Sequence, residues 1–158
     1  MVDETTFVSS MMVSFPRCSL NVMTRTLLVI DDNQSVRESL RFLLMRRGYR
    51  VLEALDGDTG IALAAEHSVD GAFVDVNMPG MNGIAVCREL RAQAAKSGRK
   101  ITVWLMTGAR TNEMAKAALD AGALELLQKP FGIPDLFQRI EAEIGLAVPP
   151  PTEKGGKS

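Results

Sequence analysis

The residue pattern predicts an α/β fold built on a parallel sheet, and three observations carry that prediction. Between Thr26 and Leu146, short apolar runs alternate with longer amphipathic segments. Several of the runs are too apolar to leave one face in water, as expected of strands covered on both sides. Gly48, Gly122 and Gly145 fall near the ends of helical segments, where a left-handed cap residue is wanted.

The elements follow in order. The first strand is predicted at Thr26–Ile30, and it leads into a helix over Gln34–Arg47 in which Val36, Leu40, Leu43 and Leu44 form one stripe. Further strands are predicted at Arg50–Ala54, Gly71–Asp75, Ile101–Thr107 and Leu124–Gln128. Helical segments stand between and after them, five in all. The last, Ile133–Leu146, carries Leu136, Ile140 and Ile144 on one face. Pro149 to Pro151 then form a stiff, nonhelical stop.

One domain is expected over residues 25–147, preceded by a flexible extension over 1–24 and followed by a disordered tail over 148–158. The extension mixes Ser, Thr and Met around Pro16 without strand or helical period, and Met23 just before the first strand is an alternative translation start. No second, output domain is expected.

Composition narrows the function classes. A formal net charge of -1 offers no basic excess to a nucleic-acid backbone. Cys18 and Cys87 lie far apart and lack the spacing of a zinc site or the density of a disulfide scaffold. No run approaches the roughly 18 apolar residues of a membrane span, and the start Met1-Val2-Asp3-Glu4 is acidic where a secretory signal is basic. A cytoplasmic protein with no nucleic-acid or membrane partner is expected.

In an open parallel sheet the functional crevice lies beyond the carboxyl ends of the strands. Here the first strand runs into Asp31-Asp32, the third ends on Asp75, the fourth on Thr107 and the fifth on Lys129-Pro130. Carboxylates about 5 Å apart at an effective dielectric near 20 repel by about 3 kcal/mol, so a cation is expected among them. With no histidine or thiolate at hand, oxygen ligation suits Mg2+, or Mn2+, better than zinc. Asp31 and Asp32 are the expected metal ligands with Asp75, and the main-chain carbonyl of Asn77 could complete the set. A carboxylate beside such an ion can attack a phosphoryl group and hold it as an acyl phosphate, which makes Asp75 the candidate nucleophile. Lys129 would neutralise one phosphoryl oxygen, and the Thr107 hydroxyl would hydrogen-bond another. A cis bond before Pro130 is a further expectation.

The segments Leu-Leu-Val-Ile-Asp31-Asp32-Asn, Val-Asp75-Val-Asn77-Met78-Pro79-Gly80-Met81-Asn82-Gly83, Met-Thr107-Gly108-Ala109 and Gln-Lys129-Pro130-Phe131 together resemble the response regulator receiver family. Each motif is weak alone; their order at successive strand ends is specific, and the resemblance covers Thr26 to Leu146. It implies a flavodoxin-like, doubly wound sheet of order 2-1-3-4-5 with five helices. It also implies Mg2+-dependent phosphoryl transfer from a histidine kinase or histidine phosphotransfer protein to the aspartate matching Asp75. Such a domain catalyses only its own phosphorylation and dephosphorylation, switches binding to an unidentified downstream protein, and is a monomer or weak dimer. The face from Asn33 to Leu40 is the implied kinase-docking surface.

Two departures stand out. Leu126, three residues before Lys129, occupies a place where the family often has Tyr or Phe, so the switch implied for Thr107 lacks its aromatic half. Asn82-Gly83 replaces the commoner Asp-Gly, and either pair serves a turn at a helix start.

Bland readings stand beside each assignment. Asp31, Asp32 and Asn33 could simply cap a helix, Asp75 could be a turn residue, and Lys129 a surface lysine. The four-part match outweighs them. Cys87 is read as packing, His67 as a surface residue, and Arg37, Arg41, Arg46, Arg47, Arg88, Arg91, Lys96, Arg99 and Lys100 as solvated helix faces. The alternatives are a phosphorylation-independent binding module and, less favoured, an aspartate-nucleophile phosphohydrolase. The second lacks an acid two residues after the nucleophile, where Asn77 stands.

Overall fold

The computed structural model describes residues 24–145. The N-terminal extension, Cys18 and the C-terminal tail therefore lie outside the described residues. Five strands, β1 (Thr26–Ile30), β2 (Arg50–Ala54), β3 (Gly71–Asp75), β4 (Thr102–Thr107) and β5 (Glu125–Gln128), alternate with five helices. These are α1 (Gln34–Arg46), α2 (Gly57–Glu66), α3 (Gly83–Lys96), α4 (Asn112–Asp120) and α5 (Ile133–Ile144). The strands form one sheet in the order β2-β1-β3-β4-β5. All four pairings are parallel, with Ile30 beside Val74 and Asp75 beside Met106 at the carboxyl end. The flavodoxin-like, doubly wound sheet implied by the motifs is thus the one observed.

The period of two in each strand sorts the core onto both faces. Leu27, Val29, Phe73, Trp104, Met106 and Leu127 pack with Leu40, Leu44, Leu136, Phe137 and Ile140 of α1 and α5. Leu28, Ile30, Ala72, Val74, Val103, Leu105 and Leu126 pack on the other side, with residues such as Ala64, Val86, Leu90 and Ala118 of α2, α3 and α4. The Phe73 and Trp104 rings stack with centroids 4.9 Å apart, a pairing that adds about 0.5–1.5 kcal/mol to their burial. β1, β3 and β4 are dry on both faces, which explains why they read as nearly continuous apolar runs, whereas the edge strand β2 keeps Arg50 and Glu53 partly in water.

Helix starts are set by side chains that accept orphan backbone N–H groups. Asn33 accepts from Val36, Asp56 from Thr59, Asn82 from Ile84 and Thr111 from Met114. Before α5, Gly132 has no such side chain, and Pro134 in the first turn sets the helical φ instead. Gly48, Gly122 and Gly145 have φ of 95°, 98° and 87°, as their places at helix ends predict.

Small corrections concern the ends of elements. Ile101 and Leu124 lie just outside β4 and β5, although the Leu124 N–H still bonds the Val103 carbonyl at 2.8 Å. The first helix stops at Arg46 and the last at Ile144. Arg37 and Arg91 are not merely solvated: Arg37 donates to the Asp31 carbonyl at 2.8 Å, and Arg91 to the Ile101 carbonyl at 2.9 Å. Each long side chain reaches across to satisfy a backbone oxygen at a strand end. The Arg47 guanidinium lies 3.9 Å from the centre of the Phe137 ring, joining α1 to α5. Cys87 is fully buried against the Ala121 carbonyl, and burial pushes its thiol up to about 11, which makes it a packing residue. The Lys129–Pro130 peptide is cis.

Among the described residues, no helix is long and apolar enough to cross a membrane.

Candidate functional site

The sheet order brings β1 and β3 together, so the carboxyl ends that carry Asp31-Asp32 and Asp75 are neighbours. One carboxylate oxygen from each of Asp31, Asp32 and Asp75 lies within 4.8 Å of the others. At that separation each pair repels by about 3 kcal/mol at an effective dielectric near 20. The three differ in surroundings: Asp31 is fully buried and Asp75 nearly so, while Asp32 faces solvent.

Lys129 follows β5 and enters the same cluster. Its ammonium lies 2.9 Å from Asp31 Oδ2 and 3.6 Å from Asp75 Oδ1. The other Asp31 oxygen accepts the Asn33 N–H at 2.9 Å, and Asn33 in turn caps α1. The bland reading of this segment is therefore half right: Asn33 is the cap, and it leaves the two aspartates to the pocket. One ammonium among three carboxylates leaves an excess of negative charge, and the oxygen-only donor set suits a divalent cation.

Asp75 carries the mark of that crowding. Its carboxyl is pushed up to about 6, first by burial and then by the Asp31 carboxylate, with a smaller push from Asp32. Lys129 and the Asn77 N–H, 3.4 Å from Asp75 Oδ1, act in the opposite direction without cancelling the rise. A cation between the carboxylates would remove the two repulsive contributions.

Thr107 closes β4 with its side chain fully buried. Its Oγ1 accepts from the Ala109 N–H at 3.1 Å and from Asn77 Nδ2 at 3.4 Å. Asn77 is thereby tied to both Asp75 and Thr107. Leu126 lies apart from this cluster. It is buried in the core on the α4 side, with its carbonyl bonded by Arg110 Nη1 at 2.8 Å.

Gly83 contributes more than its turn motif suggests. It opens α3 beneath Asp75, and a Cβ there would stand 2.2 Å from the Asp75 carbonyl oxygen and 2.7 Å from Val76 Cα. Only glycine lets the helix press so closely on the backbone that carries Asp75. The Asn82-Gly83 pair in the sequence was the signal, but a turn alone does not reveal that contact.

Comparison with known proteins agrees with this geometry. A family model, the response regulator receiver domain, matches residues 27–141. The response regulator MprA of Mycobacterium sp. (strain KMS) is 39% identical over 116 residues, which is 73% of this chain and 49% of that protein. The chain thus spans about half the length of the curated relatives it matches. The solved chemotaxis protein CheY4 of Vibrio cholerae superposes with a TM-score of 0.71 at 27% identity, covering 77% of this chain and 100% of that one. A response regulator protein from Burkholderia pseudomallei, solved with a phosphorylated aspartic acid, a calcium ion and citrate, gives a TM-score of 0.65 at 25% identity. It covers 75% of this chain and 72% of that one. With the sheet order, the acidic pocket and a family match that contains Asp31, Asp32, Asp75, Thr107 and Lys129, the chain belongs to the response regulator receiver domain family of two-component signalling.

Proposed function

We propose that this chain is the phosphoacceptor receiver of a two-component phosphorelay, in which Asp75 takes a phosphoryl group from a phosphohistidine and the modified form switches binding to a downstream protein. The observation that carries this reading is the convergence of three carboxylates and Lys129 on one pocket at the carboxyl ends of the strands. Such a pocket presents a nucleophile, a place for a cation and a fixed positive charge to one incoming phosphoryl group. In the related Burkholderia pseudomallei protein an aspartic acid is phosphorylated and a calcium ion is present, which supports the same chemistry for Asp75.

In the proposed step, an Asp75 carboxylate oxygen forms a bond to phosphorus as the phosphorus–nitrogen bond of the phosphohistidine breaks. The electron pair of that bond leaves with the imidazole, which then takes a proton, and Asp75 holds an acyl phosphate. Asp31, Asp32, Asp75 and the Asn77 main-chain carbonyl are the proposed ligands of Mg2+, with Mn2+ as a substitute. When bound, the ion supplies neutralising charge between the carboxylates and the phosphoryl oxygens. Lys129, freed from one carboxylate charge, pairs with a phosphoryl oxygen, and the Thr107 hydroxyl donates to another. The chain modifies itself and turns over no separate substrate.

The donor in this reading is a histidine kinase or histidine phosphotransfer protein. An apolar groove of about 330 Å³ runs between α1 and the β5–α5 connection, lined by Val36, Leu40, Leu43, Pro130 and Phe131 and ending at Lys129. A helix bearing the phosphohistidine and seated there would bring phosphorus to the pocket. Residues 25–147 are the proposed receiver unit, acting in the cytoplasm as a monomer or weak dimer, with 1–24 and 148–158 as appendages.

Intact mass after incubation with a small-molecule phosphodonor, with and without Mg2+, tests the reading. The expected result is a gain of one labile phosphoryl group that needs both Mg2+ and Asp75, and is lost in Asp75→Asn. Labelling that persists in Asp75→Asn moves the acceptor elsewhere. No labelling by donor or kinase makes the pocket vestigial and the chain a constitutive binding module.

A further inference from the structure

The loop between β4 and α4 is stitched to β5 by a set of bonds that the pocket chemistry leaves unexplained. Next to Thr107, the Lys129 N–H bonds the Thr107 carbonyl at 2.7 Å, which extends the β4–β5 ladder by one rung. Beyond that rung the backbone of the loop turns away, and the Gln128 side chain takes over the pairing. Its Nε2 donates to the Gly108 carbonyl at 2.7 Å, and its Oε1 accepts the Arg110 N–H at 3.1 Å. Both partners are backbone groups of fixed polarity, so the orientation of the carboxamide is determined by them. The Arg110 guanidinium then reaches back to the Leu126 carbonyl at 2.8 Å.

The two residues clasped by Gln128 flank Ala109, whose N–H donates to Thr107 Oγ1 at 3.1 Å. The carboxamide therefore holds the segment that in turn holds the Thr107 hydroxyl. Gln128 itself is exposed and contributes nothing to the core; apart from a longer Nε2 bond to the adjacent Lys129 carbonyl at 3.4 Å, its side chain bonds only the loop.

We infer that Gln128 is a positioning residue, a two-bond latch that fixes the β4–α4 loop and restrains Thr107 in the unphosphorylated form. For the Thr107 hydroxyl to move toward a phosphoryl oxygen on Asp75, its bond from the Ala109 N–H has to stretch or the loop has to follow it. The latch opposes that shift. Two solvent-exposed hydrogen bonds form a weak restraint, which suits an element that has to open and close. The role in switching rests on the reading of Asp75 as phosphoacceptor; the conformational restraint does not.

Two substitutions separate the bonds: Gln128→Leu removes both, and Gln128→Glu keeps the acceptor for Arg110 while losing the donor to Gly108. Amide exchange of Arg110 and relaxation dispersion of the Thr107 methyl group are measured first, without phosphodonor, at equal melting temperature. The expected result is at least about threefold faster exchange of the Arg110 amide in Gln128→Leu, with new millisecond exchange at the Thr107 methyl. Gln128→Glu should retain most of the Arg110 protection. Unchanged Arg110 protection and a quiet Thr107 methyl in Gln128→Leu overturn the latch, whether or not Asp75 can be labelled.

The rate of labelling by a small-molecule donor is measured second. Faster labelling of Gln128→Leu, by about threefold or more, supports the role in switching. An equal rate in a chain that does label overturns that role. If wild type and variants alike fail to label, the phosphoacceptor reading fails and the role in switching falls with it, while the exchange data still decide the restraint.

Discussion

Asp70 and Asp75 lie at opposite ends of the same strand and do opposite things. Asp70 precedes β3 at its amino end, where Oδ2 accepts the Thr26 N–H at 2.8 Å and its own N–H bonds the Thr26 carbonyl at 2.8 Å. Its carbonyl receives the Thr102 N–H at 3.1 Å, so one residue ties the starts of β1 and β4 to β3. Asp75 closes the strand among two other carboxylates and is raised to about 6 by burial and by Asp31. The Asp70 carboxylate accepts a backbone N–H and works with its own main chain as a structural clamp, whereas the Asp75 carboxylate stands among two others and is raised by burial and their charge.

The largest expected effect comes from disturbing the ground on which Asp75 stands. Gly83→Ala sets a methyl group against the Asp75 and Val76 backbone, where neither neighbour can give way, and should destabilise the fold by about 3 kcal/mol or more. Urea unfolding measures this, and loss of metal affinity should accompany it. A change below about 1 kcal/mol would mean that α3 slides away from the pocket at little cost.

Asp75→Asn sharpens the contrast through pH. A carboxyl whose folded value is raised binds its proton more tightly in the folded state than in the unfolded one, so its contribution is favourable in acid and lost as pH rises from about 4 through about 6. Without metal, the Asn variant should therefore exceed wild type by about 1–3 kcal/mol at pH 8 and match it near pH 3. Adding Mg2+ should stabilise wild type and shrink the gap. Parallel pH curves for the two proteins would show that Asp75 is not electrostatically crowded.

Asp70→Ala tests the clamp. It should cost about 1–2 kcal/mol by leaving the Thr26 N–H unpaired, with Asp70→Asn costing less because the amide oxygen still accepts. Mg2+ affinity should stay at the wild-type value in both. A fall in metal affinity would show that the two ends of β3 are coupled.

The smallest effect is expected at a third kind of acid. Glu125 pairs with Arg139 at the surface, and Arg139 also bonds Asp135 at 3.1 Å. Arg139→Ala should change stability by less than about 1 kcal/mol and become neutral in high salt, since exposed pairs are screened. Unfolding at low and high ionic strength checks it.

Much of the pocket was legible because each of its residues terminates a strand. Once five apolar runs are read as a parallel sheet, Asp31-Asp32, Asp75, Thr107 and Lys129 fall at one end of it, whatever the helices do. Arg37, Gly83 and the Gln128–Arg110 clasp were not legible. Arg37 reads as one more charge on a helix surface, yet it bonds the Asp31 backbone; Gln128 reads as the polar end of a strand, yet it pairs with a loop 18 residues earlier.

Alternating apolar runs, capping residues and strand-end motifs are local or periodic properties, and they determined by themselves the α/β class, the element order and the acidic character of the site. Which carboxylates meet, how far Asp75 is raised, which backbone glycine must stay bare and which side chain ties down the loop depend on contacts between residues distant in the chain. Those distances are set only when two packed cores bring the strands into register, and electrostatics and steric exclusion act on distances in space.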